Sequence, residues 1–292
     1  MNSLVLKSPS KINLYLKILG KRPDGYHELY TLFHRISLCD TIRLRKKTSG
    51  FALRVSDAVL SDGEDNIITK AYRKLQREIP DLGGVDVFLQ KKIPVGAGLG
   101  GGSGNAATFL QGMKKLYGLK IPQKKLLKIG AELGADVPFF LHNIRQGIGV
   151  DRGDRIFPVK IKSKLRFVLC VAEKGLSTKE VYGNFRPQPG AGSLTKIRAA
   201  VRLLAAYLER KNLDRAADLL QNDLESPAFL LRPSLRQSLD KIKRLGSIKA
   251  AKMTGSGPTL FAILSSSRQA NDLARKLRDP QKFKRVLICH TL

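Results

Sequence analysis

The chain has little acid, little cysteine and no long apolar run. Its 292 residues carry 24 aspartates and glutamates against 53 lysines and arginines, a formal net charge of +29. The three cysteines, Cys39, Cys170 and Cys289, are scattered, and each sits among apolar, strand-like neighbours, the pattern of reduced, buried thiols. No CxxC, HExxH or Cys/His cluster occurs, which argues against a structural or catalytic zinc site. No apolar stretch reaches the length needed to span a bilayer. Lys7, Pro9 and Lys11 interrupt the N-terminal apolar character before a signal sequence can form, so a cytoplasmic location and no membrane partner are expected.

The excess of base raises nucleic acids and anionic small molecules as partners. Its distribution favours solvated helix faces. Lys70, Arg73, Lys74 and Arg77 share one helical face, and Lys124, Lys125 and Lys128 cluster on a later helix, opposite apolar positions such as Leu75 and Leu126. No aromatics interleave with them, as a stacking platform for single strands requires. No nucleic-acid partner is expected.

The length suits two domains or one large one. Ile12, Leu14, Leu16 and Ile18 alternate as a strand, and KRPDGYHEL reads as a turn punctuated by Pro23 and Asp24-Gly25. Amphipathic helices are predicted from about Asn66, over NAATFLQGMKKLYG, and over QKKLLKIGAELG with Gly134 as its C-cap. RQGIGVDRGDRIFPV reads as a hairpin or loop, KLRFVLCVAE as a strand, and GNFRPQPGAGS as the clearest loop. Helices then dominate until IKAAKMTGSGPTLFAIL, which reads as strand, glycine turn and strand, followed by a last helix and a last strand. The fold class is α+β. The boundary is expected in the loop-rich stretch around Asp151 to Pro158, dividing the chain into 1–155 and 156–292.

Three segments carry chemistry. In IPVGAGLGGGSGNAA, Gly96, Gly98 and Gly101 satisfy GxGxxG, but no acidic residue follows about 20 positions on to hold a ribose hydroxyl. A Walker A loop needs a lysine after its last glycine, and none is present. The third template is a glycine-rich turn feeding a helix, whose backbone N–H groups and positive end face a phosphate. Gly98 and Gly100 to Gly102 are expected to take positive φ and bring the backbone close to an anion. Ser103 adds a hydroxyl near the helix start. Lys91 and Lys92, just ahead of the loop, are candidates to face the nucleotide. In SPSKINLYLKILGKRPDGYHEL, Lys11 and Asn13 lie on the strand face opposite Ile12 and Leu14, and Tyr26 and His27 follow a tight turn. Taken alone, Lys11 reads as a surface lysine with its stem on the protein, and the Tyr-His pair as ordinary loop. In MTGSGPTLFA, Gly255, Ser256 and Gly257 form a second tight turn, either closing over phosphates from the other side or serving as a simple hairpin.

Together, and in this order, SPSKINLYL, PVGAGLGGGSGNAA, LGADVPFF and MTGSGPTLFA resemble the GHMP kinase superfamily. The continuation into GYHEL, with EDNII and LSTKEVY, narrows the resemblance to the branch that acts on a cytidine diphosphate-linked methylerythritol. It spans nearly the whole chain. The resemblance implies two domains, an N-terminal α/β unit like that of ribosomal proteins and a C-terminal ferredoxin-like α+β unit, with the active site in the cleft between them. It implies phosphorylation of that substrate's 2-hydroxyl by ATP with Mg2+, a step of the non-mevalonate route to isoprenoid precursors. Carried over residue by residue, Lys11 and Asp136 match the catalytic pair, with Asp136 taking the hydroxyl proton and Lys11 stabilising charge at the hydroxyl or γ-phosphate. Asn13 matches a substrate-positioning neighbour, Tyr26 and Tyr182 the aromatic pair around the cytosine, His27 the residue reading its edge, and Thr178 a polar contact in the same pocket. Asn66 matches a residue near the adenine. Pro94, Val95, Gly96, Ala97, Gly98, Leu99, Gly100, Gly101, Gly102, Ser103 and Gly104 match the ATP phosphate loop. Two departures stand out: Gly104 replaces a frequent second serine, removing one expected hydroxyl contact, and Ser10 replaces a usual alanine. The alternatives are a GHMP kinase for homoserine, mevalonate or a sugar, and a basic nucleic-acid-binding protein.

Overall fold

Two long strands, β1 (Ser3–Lys21) and β2 (His27–Lys47), form an antiparallel hairpin around the turn that Pro23 to Gly25 provide. The computed structural model describes residues 2–57, 60–187, 193–245, 248–278 and 283–292. Gly25 takes φ +82°, and the Asp24 carboxylate accepts the Tyr26 N–H at 3.1 Å, so the turn is closed by the residue types that mark it in the sequence. β2 pairs through its second half with β4 (Gly84–Gln90), which in turn takes β3 (Phe51–Val55) in parallel. Its first half pairs with β5 (Gln146–Val150), whose hairpin partner is β6 (Arg155–Val159). The short β8 (Gln221–Asn222) joins the other side of β1 in parallel, completing a seven-stranded sheet. The division expected at 155/156 thus falls at the start of β6.

Four helices cover one face of this sheet: α1 (Ile67–Glu78), α2 (Gly101–Tyr117), α3 (Gln123–Leu133) and α4 (Val137–Leu141). Ile42, Leu44, Val85 and Val87 from the strands meet Ile68, Leu75, Phe109 and Met113 from the helices in one buried cluster. A fully buried side chain such as Phe109 contributes about 1.5–3 kcal/mol relative to exposure. The basic stripes read from the sequence are solvated and partly paired: Lys70 with Asp65, Arg73 with Glu64, Lys74 with Glu132 and Lys125 with Glu78.

The second half builds a four-stranded antiparallel sheet in the order β11 (Arg285–His290), β7 (Arg166–Val171), β10 (Leu260–Leu264), β9 (Ala251–Met253). Its central strands β7 and β10 are buried on both faces, which explains their nearly continuous apolar runs. Phe167, Leu169, Phe261 and Ile263 face Ile12 and Leu14 of β1 and the apolar stripe of α6 (Leu194–Glu209). Val168, Cys170, Leu260 and Ala262 face α8 (Glu225–Leu231), α9 (Pro233–Leu245) and α10 (Ser267–Leu277). α7 (Leu213–Leu219) leads into β8. All three cysteines are free, and burial pushes the Cys170 thiol up to about 12 and the Cys289 thiol upward too.

The sequence-level boundaries are adjusted at several points. α2 begins at Gly101, not at Asn105, so the last glycines of the loop are already helical. ADVPFFL becomes the short helix α4, and α5 (Thr178–Gly183), α8, β3 and β8 are additional elements too short for a periodic signal. The four alternating residues of β1 feed two cores, because the register slips between Asn13 and Tyr15. The loop expected in GNFRPQPGAGS runs through 188–192, outside the described residues.

Candidate active site

A cleft of about 1830 Å3 separates the two halves and is lined by residues from β1, the glycine loop, the turn before α4, α5 and the turn between β9 and β10. Its floor is the loop that runs from β4 into α2. Gly96, Gly98 and Gly100 take φ of +67°, +72° and +67°. Gly101 and Gly102, expected to share that conformation, instead form the first turn of α2, because the chain has turned by Gly100. Gly100 caps this helix of 17 residues in the left-handed conformation and offers no side-chain acceptor to its first N–H groups. Those donors and the helix dipole face the cleft, the arrangement that holds anions. Ala97 and Leu99 turn inward and anchor the loop in the core. Gly98 has a steric reason to lack a side chain, since a Cβ there would stand 2.8 Å from the carbonyl oxygens of both Thr254 and Gly257.

Gly104 is a correction. It is buried on the face of α2 turned to β1, where a Cβ would stand 2.5 Å from the Pro9 carbonyl oxygen, and it does not line the cleft. A serine hydroxyl is thus not missing from the cleft at this position. Close helix–strand packing calls for the glycine. Lys91 and Lys92, candidates to face the nucleotide, are placed differently. Lys91 lines the cleft but pairs with Asp40, whose carboxylate also accepts the N–H groups of Lys92 and Ile93 and the Asn105 amide. The Lys92 side chain does not line the cleft.

Above the loop, Lys11 is buried, not a surface lysine. Its Nζ lies 3.1 Å from Asp136 Oδ2 and donates to Asn13 Oδ1 at 2.8 Å. Its backbone N–H donates to Leu99 O at 2.9 Å, tying β1 to the glycine loop. Asn13 is itself fixed, donating to Thr31 Oγ1 at 2.8 Å and receiving support from Thr254, whose hydroxyl accepts the Asn13 N–H at 2.9 Å. Asp136 precedes α4 but makes no cap hydrogen bond, so its carboxylate is available to Lys11 and to the cleft. Arg35 holds α4 in place by donating to Phe139 O and Phe140 O at 3.0 and 2.7 Å, and burial lowers its guanidinium to about 10.

At the other end of the cleft, the His27 ring lies against Tyr182, centroids 5.1 Å apart, and meets the edge of Phe185 at 6.3 Å. Burial, with the Lys21 charge, holds His27 below the usual imidazole range, so it is neutral at neutral pH. Burial and the Asp136 charge raise the Tyr182 phenol, which remains an O–H. Tyr26 is half exposed, with the Arg152 guanidinium 4.9 Å from its ring centre. Thr178 Oγ1 lies 2.9 Å from Ser256 Oγ, joining α5 to the second glycine turn. Asn66 borders the cleft as the N-cap of α1: its Oδ1 accepts the Ile68 N–H and its amide donates to Ser61 O. All of the proposed site residues except Gly104 line the one cleft.

Sequence reasoning missed Asp40, Asn105, Arg35, Asn222 and Thr254. The signals were faint: a lone acid in the apolar run SLCDTI, and the polar run QNDLE between helices.

The chain matches the family described as GHMP kinases N terminal domain over residues 66–143 and that described as GHMP kinases C terminal over residues 204–282. It is 38% identical to a 4-diphosphocytidyl-2-C-methyl-D-erythritol kinase of Synechococcus elongatus, covering 95% of this chain and 91% of that protein. A crystal structure of 4-(cytidine 5'-diphospho)-2C-methyl-D-erythritol kinase superposes with a TM-score of 0.84 at 30% identity, over 98% of each chain. Homoserine kinase from Cytophaga hutchinsonii, at 16% identity, shares the fold with a TM-score of 0.74 over 100% of this chain and 95% of that one. With the fold, the glycine loop and the matched relatives in agreement, the chain belongs to the GHMP kinases.

Proposed function

We propose that the protein transfers the γ-phosphoryl group of ATP to the 2-hydroxyl of 4-diphosphocytidyl-2-C-methyl-D-erythritol, a step in the non-mevalonate route to isoprenoid precursors. The observation that carries the reading is the Lys11–Asp136 pair, 3.1 Å apart, standing over the glycine loop and the N-terminus of α2 in the same cleft as His27 and Tyr182. In this reading Asp136 accepts the proton as the hydroxyl oxygen attacks, and ADP leaves with the loop N–H groups around its phosphates. Lys11 neutralises charge developing between acceptor and donor. Phosphoryl transfer depends chiefly on positioning and electrostatics, and the fixed network Lys11–Asn13–Thr254 suits that demand.

Among the described residues no three His, Cys, Asp or Glu side chains gather as a metal site. The Ser103 hydroxyl, at the head of α2 in the cleft, suits a Mg2+ ion that arrives with ATP and keeps water and phosphate ligands. Bound there, it would neutralise phosphate charge. Tyr26, His27, Thr178 and Tyr182 form the cytidine pocket, and Asn66 borders the adenine. The working division of the chain is 1–155 and 156–292. No helix of the described residues is long and apolar enough to cross a membrane, and the proposal includes a cytoplasmic setting and no nucleic-acid partner.

The test is ADP release with ATP and Mg2+, with and without the diphosphocytidyl substrate. Substrate-dependent turnover is expected; its absence, with turnover on homoserine or mevalonate, would sink the reading. Thermal shifts with CDP, CMP and AMP check the pocket, with CDP expected to stabilise at a site distinct from that of AMP.

A further inference from the structure

We infer that Asn222 is a positioning residue for the transfer step, holding the Thr254–Gly257 turn against the glycine loop and Lys11. The inference rests on the kinase reading above. Asn222 lies in β8 beside Leu16 of β1 and is buried. Its amide nitrogen donates to Met253 O at 2.8 Å and to Gly255 O at 2.9 Å, while its Oδ1 accepts the Leu224 N–H at 3.0 Å. Every polar group of this side chain is thus used, and its two donated bonds tie the end of β9 to the turn that follows it.

That turn touches both halves of the chemistry. On one side, a side chain on Gly98 would meet the Thr254 and Gly257 carbonyls at 2.8 Å, so loop and turn are in backbone contact. On the other, a side chain on Gly255 would lie 3.4 Å from Asn13 Oδ1 and 3.6 Å from Lys11 Nζ. Gly255 and Gly257 take φ of +55° and +76°, conformations with little intrinsic preference to hold the turn in one place. The Gly255 carbonyl is held by Asn222, and Gly255 itself lies beside Asn13 and Lys11. A shift of this turn would move the phosphate loop relative to Lys11 directly, and would reach α5 and Tyr182 only through the Thr178–Ser256 hydroxyl pair.

Asn222→Asp tests this, because it keeps the shape and the Oδ1 acceptor but sets a carboxylate against two carbonyl oxygens. Asn222→Ser, which keeps one short donor, is the graded companion. Steady-state kinetics should show kcat reduced about tenfold to a hundredfold, as misplacement by an ångström does, together with a raised KM for ATP and a smaller rise in KM for the diphosphocytidyl substrate, which the turn reaches only through Thr178 and Asn13. The serine variant should fall between wild type and Asn222→Asp. A preparation that is merely part-unfolded lowers kcat and leaves both KM values alone; that result, wild-type kinetics, or failure of both variants to fold would overturn the proposal. The ATP-induced thermal shift, expected to shrink in Asn222→Asp, reads the same claim without turnover. If wild-type protein shows the ATP shift but no turnover on the diphosphocytidyl substrate, the functional reading fails and the Asn222 comparison still stands on that shift.

Discussion

Lys91 and Asp40 form a buried ion pair directly beneath the glycine loop. The Asp40 carboxylate is fully occupied: Oδ1 accepts the N–H groups of Lys92 and Ile93 at 2.7 and 2.9 Å, and Oδ2 accepts from Lys91 and the Asn105 amide. Asn105, one turn into α2, donates to Ser8 Oγ as well, so strand, loop and helix meet at one anion. Asp40→Asn sets an amide donor against Lys91 and Asn105 and leaves a buried charge unpaired. A loss of about 3–5 kcal/mol in unfolding free energy is expected, measurable by urea denaturation. A loss under about 1 kcal/mol would show that the pair does not organise the loop.

Asp136 lies 3.1 Å from Lys11 and opens on the cleft, so its neutralisation leaves the buried Lys11 charge unpaired and should lower stability while the fold is kept, with Asn13 Oδ1 still accepting from Lys11. Asp136→Asn is expected to lower kcat by at least about a hundredfold, the usual contribution of a positioned base. Its thermal stabilisation by ATP should persist. Near-normal turnover in this variant would remove Asp136 from its role.

Gly104→Ser restores a residue type the resemblance leads one to expect, but the fold has no room for it. A Cβ 2.5 Å from the Pro9 carbonyl oxygen forces α2 away from β1. The variant should lose about 1–3 kcal/mol of stability, as overpacking does, with no gain in ATP affinity. Tighter ATP binding at unchanged melting temperature would contradict this account.

His34 is buried and held down to about 3 by its removal from water, with Nδ1 lacking a partner and Nε2 beside Thr291 Oγ1. Its folded pKa lies below the ordinary value, so between about pH 6.5 and 3 the unfolded chain binds a proton that the folded chain does not. Stability therefore falls as pH drops through that window, by up to about 1.4 kcal/mol per pH unit. Urea midpoints between pH 7 and 5 should show this slope in wild type and a shallower one in His34→Gln. Equal slopes would assign the acid sensitivity elsewhere.

Much of the site was legible from residue types alone. The glycine loop was legible as a tight backbone turn into a helix because glycine takes the positive φ seen at Gly96, Gly98 and Gly100 without strain, and Pro23 to Gly25 marked their turn for the same local reason. The buried strands β7 and β10 declared themselves as apolar runs because both of their faces are covered. These are properties of neighbouring residues, and the sequence by itself determines them. Partners far apart in the chain are another matter. Lys11 looked like a surface residue in isolation, and only packing of β1 against the head of α4 buries it beside Asp136. Lys91 looked available to a nucleotide until β2 brought Asp40 to it. Gly104 looked like a lost hydroxyl until α2 lay against Pro9. Asn222, with no local signal beyond a polar run, acquires its role from two carbonyl oxygens of the turn at Met253 and Gly255. Charge pairing, close approach and hydrogen-bond direction depend on distances in space, and those distances exist only once the two halves have closed on each other.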